Sequence, residues 1–201
     1  MTDIDEPTPP VDGRVARRQR NIDAVLDVVV DMFTEEAMFP TIEQVATRSG
    51  LSLRSLYRYF ADPGELLEAA IARTSRRGRA LARLPAEGEG PFARRVDDFV
   101  SMRLRLHDAV GAAQRATLAN AARHPQIRTQ LALDRDDMRA QLEAQFAPEI
   151  SLRKGADREA VVAAADLLTQ LESIDFLRRH RRLSVEETHA VLVGGLRALL
   201  D

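Results

Sequence analysis

Apolar positions along the chain recur with the period of a helix and nowhere with that of a strand. From Arg14 onward, Ile22, Val25, Leu26, Val29, Met32 and Phe33 fall three or four residues apart and mark one helix face. Pro40 breaks that helix. Thr41 is followed three residues later by Gln44, a capping-box start, and Ile42, Val45 and Ala46 form a short apolar face that Gly50 ends. Ser52 is placed to cap a third short helix running to Tyr59, with Leu53, Leu56 and Phe60 as its apolar positions. Asp62-Pro63-Gly64-Glu65 then opens a fourth: Asp at the cap, Pro in the first turn, Glu at the third position. Leu66, Leu67, Ala70, Ile71 and Thr74 carry it toward Arg83.

Pro85 to Pro91 reads as a linker and a domain boundary. Beyond it the pattern predicts a helix from Phe92 that ends near His107, and a second over roughly Ala112 to Arg123. A long charged helix follows from Gln126 to about Phe146, closed by Pro148. Gly155 and Asp157 open another, carrying Val161, Ala164, Ala165, Leu168, Leu171 and Ile174 to Leu177. The Ser184–Glu187 capping box starts the last helix. The expected fold is all-α with about nine helices. It divides into an acidic tail over 1–13, expected to be disordered, a helix-turn-helix domain over 14–84, and a second helical domain over 85–201.

Charge sharpens this division. The first 13 residues carry four carboxylates and no base, residues 14–83 hold 12 arginines against 9 acids, and the remainder is nearly balanced. A modestly basic section behind an acidic tail points weakly to a polyanion. The acidic start is the opposite of a signal peptide, and the least polar stretch, Val161 to Leu168, is interrupted by Asp166. No membrane association is expected, and a cytoplasmic location is. The chain has no cysteine, which removes disulfides, thiolate metal sites and thiol nucleophiles from consideration. His107, His124, His180 and His189 share no i, i+4 frame, so no metal site is expected. No phosphate loop, nucleophile elbow or cofactor motif is present either, and no enzyme is expected.

The two very short helices around Gly50 cannot nucleate alone and must pack on their neighbours. That is the helix-turn-helix plan, in which the second short helix enters the major groove of DNA. Ala46 is small where the helices cross, Gly50 can take a positive φ in the turn, and Leu51 points inward. Ser52, Arg54, Ser55, Arg58 and Tyr59 on the second short helix are residue types that donate to phosphates and base edges. On an ordinary solvated face such arginines carry no function, and two tyrosines beside Phe60 could be mere rim residues. Their place in the motif gives them one.

The run from Thr41 to Asp62, together with Phe33 before it and Glu65-Leu66-Leu67 after it, resembles the DNA-binding signature of the TetR family of bacterial regulators. The resemblance covers about Arg14 to Ile71. It implies a homodimer reading a palindromic operator. Thr41 matches the family's phosphate-contacting helix start and Ser52 its recognition-helix cap. Leu53 and Arg54 fall where bases are read, and Tyr57 and Tyr59 match positions that grip the backbone. Arg48 and Arg58 are additional contacts. Two departures stand out. Pro63 occupies a position where the family often has Lys, which transfers one phosphate contact to the amide of Gly64. Ala37 stands where the family often has Gly, so the turn out of the first helix is expected to differ.

The resemblance also implies a C-terminal domain for ligand binding and dimerisation. A small, largely apolar effector is expected among the middle helices, with Met102, Leu106, His107, Gln114 and Leu118 as candidate lining, although such residues suit an ordinary core equally. Ala164, Leu168, Leu171, Val191, Gly195 and Leu199 mark the last two helices as a dimer interface, or as intrachain core. The run Arg178 to Arg182 is read as a solvated helix end. Two other classes stay open: a DNA-binding protein without an effector, and an all-α carrier or interaction protein.

Overall fold

The computed structural model describes residues 13–36 and 38–201. The departure at Ala37 and the expected disordered tail over 1–13 lie outside them, except for Gly13, which is ordered as the first residue of a helix. Ten α-helices and no strand occur among the described residues. The first four are α1 (Gly13–Glu36), α2 (Ile42–Ser49), α3 (Leu53–Tyr59) and α4 (Pro63–Leu81). The remaining six are α5 (Phe92–Asn120), α6 (Pro125–Gln145), α7 (Ala147–Ser151), α8 (Gly155–Thr169), α9 (Leu171–Asp175) and α10 (Val185–Leu200). A π-helical turn, Phe176–His180, extends α9.

Three differences from the expected helices have local causes. Gly111 does not end a helix: α5 runs straight through it. A Cβ at that position would lie 3.2 Å from Nε2 of His107, so the glycine makes room for an imidazole one turn away. Pro148 does not merely close α6. It sits in the first turn of α7, where a missing N–H costs nothing. The predicted helix from Gly155 to Leu177 is broken at Gln170, whose backbone is extended (φ −66°, ψ 150°). Past the break the Ser173 hydroxyl donates to the Leu167 carbonyl, in place of the amide that a continuing helix would have supplied, while Thr169 donates its hydroxyl back to the Ala165 carbonyl within α8.

Two cores form. Val25, Leu26, Val29 and Met32 of α1 pack with Ile42 and Val45 of α2, Leu56 of α3, Phe60, and Leu66 and Ala70 of α4. The larger core joins α5, α6, α8 and α10 around Val96, Phe99, Phe146, Val162, Ile174 and Leu192. A small third cluster, Leu67, Ile127 and Leu131 with Phe39 and Leu118 against it, lies between them. The connection 82–91 is pinned rather than loose. Gly88 (φ 74°) donates its amide 2.8 Å to Oε1 of Gln145, whose Nε2 donates 3.1 Å to the Arg95 carbonyl. Arg95 is buried, ion-paired to Glu149, and donates to the carbonyls of Gly90 and Gln145.

Candidate nucleic-acid interface and internal cavity

The short helices α2 and α3 are stabilised at their ends and undersides. The Thr41 hydroxyl accepts the Gln44 amide (3.3 Å) while Oε1 of Gln44 accepts the Thr41 amide (2.7 Å). Gly50 closes α2 at φ 70°, a conformation that a side chain would strain. The Ser52 hydroxyl accepts the Ser55 amide at 3.2 Å and opens α3. Beneath α3, Leu56 is fully buried and Phe60 nearly so. Asp62 caps α4 by accepting the Glu65 amide at 2.9 Å. A Cβ on Gly64 would come within 2.9 Å of Oδ1 of Asp62, so the first turn of α4 is best served by glycine there.

With its underside anchored, α3 presents its other side outward. Ser52, Leu53, Arg54, Tyr57 and Arg58 are exposed, Leu53 at 41% and Tyr57 at 49%. Leu53, expected among the apolar positions of this helix, lies on the outer side with the arginines. Tyr59 is only half-exposed. Its hydroxyl accepts a hydrogen bond from Nδ2 of Asn21 (3.2 Å), and the guanidinium groups of Arg18 and Arg58 lie 5.7 and 5.3 Å from its ring centroid. These neighbours favour the phenolate, holding the Tyr59 hydroxyl below the ordinary tyrosine range, with the Asn21 hydrogen bond the leading cause. Arg18 and Asn21 are contributors that the sequence pattern missed. They lie 38 or more residues from Tyr59, and no local spacing announces the contact. Arg48 is exposed and paired at 2.8 Å with Glu35, tying the ends of α1 and α2 together and raising its pKa.

A cavity of about 690 Å³ lies between the two halves, within the usual size of small-molecule sites. Phe33 of α1, Ile71 of α4, Leu106 and Gln114 of α5, Leu131 of α6 and Leu171 contribute to its wall. Of the other candidate lining residues, Met102 is fully buried in the larger core and Leu118 packs on the small third cluster. His107 faces Asp175 at 3.4 Å, where Arg115 also donates to that carboxylate at 2.7 Å. Arg103 also lines the cavity, although it is only 1% exposed. Burial lowers its pKa to about 10, which leaves it charged at neutral pH.

The candidate interface residues, on α8 and α10 with Leu171 at the start of α9, divide by orientation. Leu171 is buried within its own chain. Gly195 faces Leu168, which a Cβ would approach to 2.6 Å, so this glycine lets α8 and α10 cross closely. Ala164 and Leu199 are half-buried, and Val191 is 42% exposed. Ala160, Ala163 and Leu167 of α8 and Ala190, Gly194 and Ala198 of α10 are exposed as well, Leu167 at 69%. The basic run after α9 folds back on itself: Arg178 donates to the Leu183 carbonyl, and Arg181 stacks over Phe176. Among the described residues, no group of three or more potential ligands could hold a metal ion, and no helix is long and apolar enough to cross a membrane.

No family model matches the chain. It is 33% identical over 105 residues to the HTH-type transcriptional regulator BetI of Klebsiella pneumoniae (strain 342), an overlap of 51% of this chain and 52% of that protein. The chain thus spans about half the length of the curated relative it matches. In structure it is similar to a tetR-family transcriptional regulator from Streptomyces coelicolor, with TM-score 0.69, 23% identity and coverage of 92% of this chain and 80% of that one. It is also similar to the multidrug binding protein EbrR complexed with imidazole, with TM-score 0.57, 20% identity and coverage of 92% and 90%. The chain thus shares the all-α fold of these solved structures, with a helix-turn-helix pair, α2 and α3, near its N-terminal end.

Proposed function

We propose that the chain is a homodimeric transcriptional regulator: a repressor that binds a palindromic operator and is released by a small, largely apolar molecule. The observation that carries the reading is the two-sidedness of α3, with Leu56 and Phe60 sealed into the core while Ser52, Leu53, Arg54, Tyr57 and Arg58 face outward. Such a helix suits the major groove, Arg54 and Leu53 meeting base edges and Thr41, Arg48, Tyr57, Tyr59 and the Gly64 amide meeting the phosphates. The Tyr59 hydroxyl, already held by Asn21, contacts DNA in company with Arg18.

One recognition helix of seven residues binds too weakly to select a site, and two half-sites joined in a dimer add their contacts. The exposed stripes of small and apolar residues on α8 and α10 support pairing with a second copy through a four-helix interface. The cavity supports an effector, and it disfavours the reading of an effector-independent DNA-binding protein. The protein acts in the cytoplasm, where its operator is. Selection of bound DNA from a random pool, followed by gel shift under salt titration, tests the proposal. A palindromic consensus with steep salt dependence is the expected result. A carrier protein selects no consensus, and that outcome refutes the reading.

A further inference from the structure

Among the described residues, the cavity wall holds two side chains with unpartnered buried polar atoms, the neutral Oε1 of Gln170 and the charged guanidinium of Arg103, and a ligand's anion suits the second. Two arginines of α5 are buried, Arg95 at 4% and Arg103 at 1% exposure, and they differ in their partners. Every nitrogen of the Arg95 guanidinium has an acceptor, supplied by Gly90, Gln145 and both oxygens of Glu149. Arg103 has one: Nη2 donates to the Met138 carbonyl at 2.8 Å, while Nε and Nη1 have no partner. Its guanidinium carbon lies 4.6 Å from the Phe99 ring centroid. The carboxylate of Asp166 acts on it only through space, since Oδ1 of Asp166 accepts the Gln170 side-chain amide at 2.7 Å.

A buried guanidinium with two unused nitrogens is unfavourable unless something accepts from it. The other charged groups on the wall are differently placed. Arg135 is paired with Glu172 at 2.6 Å, Asp134 accepts from Ser75 and Gln130, and Arg79, Arg83, Glu87 and Asp137 are not buried. We infer that the cavity takes an amphiphilic carboxylate, its apolar body among the side chains of α1, α4 and α6 and its carboxylate on the free nitrogens of Arg103. An oxyanion is the natural partner of a desolvated guanidinium, and an alcohol or amide supplies only a weaker neutral acceptor. This inference rests on the effector cavity proposed above and specifies its ligand class.

The test measures binding of decanoate, decanol and decylamine to the 201-residue chain by calorimetry in 0.3 M NaCl, which screens exposed arginines but not a buried one. The expected result is decanoate binding at least tenfold tighter than decanol, with decylamine weakest. Arg103→Met should remove the preference while retaining decanol binding, and Arg103→Lys should restore part of it. Equal binding of decanoate and decanol by the wild-type protein, or a preference for decylamine, overturns the carboxylate and leaves the cavity standing. Binding of none of the three overturns the cavity reading as well. The wild-type comparison decides the matter even if Arg103→Met does not fold.

Discussion

Leu53 and Leu56 stand one turn apart on α3 and look alike in sequence, yet the structure gives them opposite duties. Leu56 is fully buried against side chains from α1, α2 and α4, whereas Leu53 is 41% exposed. Truncating Leu56 to Ala removes roughly three methylene equivalents, about 2 kcal/mol at ~0.8 kcal/mol each. The void they leave raises the total to about 2–5 kcal/mol. Helix α3, with seven residues, cannot recover this by itself, since so short a helix depends on packing. For a chain of this size each kcal/mol moves the melting temperature by about 2–4 °C, so a loss of about 3 kcal/mol is a shift of roughly 6–12 °C.

Leu53→Ala should change stability by no more than about 0.5 kcal/mol while weakening DNA binding. Urea unfolding followed by circular dichroism measures the first quantity and gel shift the second. If Leu53→Ala destabilised the fold as much as Leu56→Ala, α3 would be rotated about its axis and its outward arginines with it, and the proposed interface would fall.

Arg54→Ala should cost about 1–3 kcal/mol in operator affinity and relax selectivity at one base pair; an unchanged consensus in repeat selections would remove Arg54 from base reading. Tyr57→Phe deletes a hydroxyl on an exposed ring, so it should weaken all DNA sequences alike, and unaltered affinity would strike Tyr57 from the phosphate contacts. Leu167→Glu places a charge on the exposed stripe of α8. Light scattering should then report a monomer with unchanged thermal stability, and a dimer that persists at micromolar concentration would place the interface elsewhere.

What could be read in advance was whatever the chain decides locally. Thr41 with Gln44, Ser184 with Glu187, and Asp62 followed by Pro63 each fix a helix start within four residues, and all three caps form. The apolar face of α1 is equally local, and its members from Val25 to Phe33 are buried. What escaped is decided by residues far apart. The gap expected between His107 and Ala112 does not exist, because the fit of Gly111 to the His107 ring leaves no trace in hydrophobic spacing. The kink at Gln170 carries neither glycine nor proline, and the Ser173 hydroxyl that takes the freed Leu167 carbonyl comes from beyond the break. The cavity draws its wall from α1, α4, α5 and α6, so no single periodic face could delineate it. Arg103 sits on the charged side of any composition argument and yet is among the most buried side chains.

How a ligand in that cavity would reach the DNA depends on which elements move together. The wall includes α1 and α4 themselves, so an occupant touches the helix-turn-helix half directly. Arg73 of α4 grips α1 from the side: Nε and Nη2 hold both oxygens of Asp27 at 2.8 and 2.7 Å, and Nη1 donates 3.0 Å to Asp23. Ser75 of α4 donates to Asp134 of α6 at 3.2 Å. A displacement of α4 is thus handed to α1, and through their shared core to α2 and α3. Since paired half-sites lie about 34–36 Å apart or at a multiple of that spacing, a shift of a few ångströms in each subunit forfeits simultaneous contact. Coupling of ~1–3 kcal/mol then lowers operator affinity about 5–150-fold. Arg73→Met tests this route. The ion pairs are partly exposed and contribute little stability, about 0–1 kcal/mol, so the variant should fold and bind DNA nearly as before. Its release by a cavity ligand, read as the ratio of operator affinities without and with that ligand, should fall toward one. Release at full strength would mean that α4 moves α1 through apolar packing alone, with the arginine clamp a bystander.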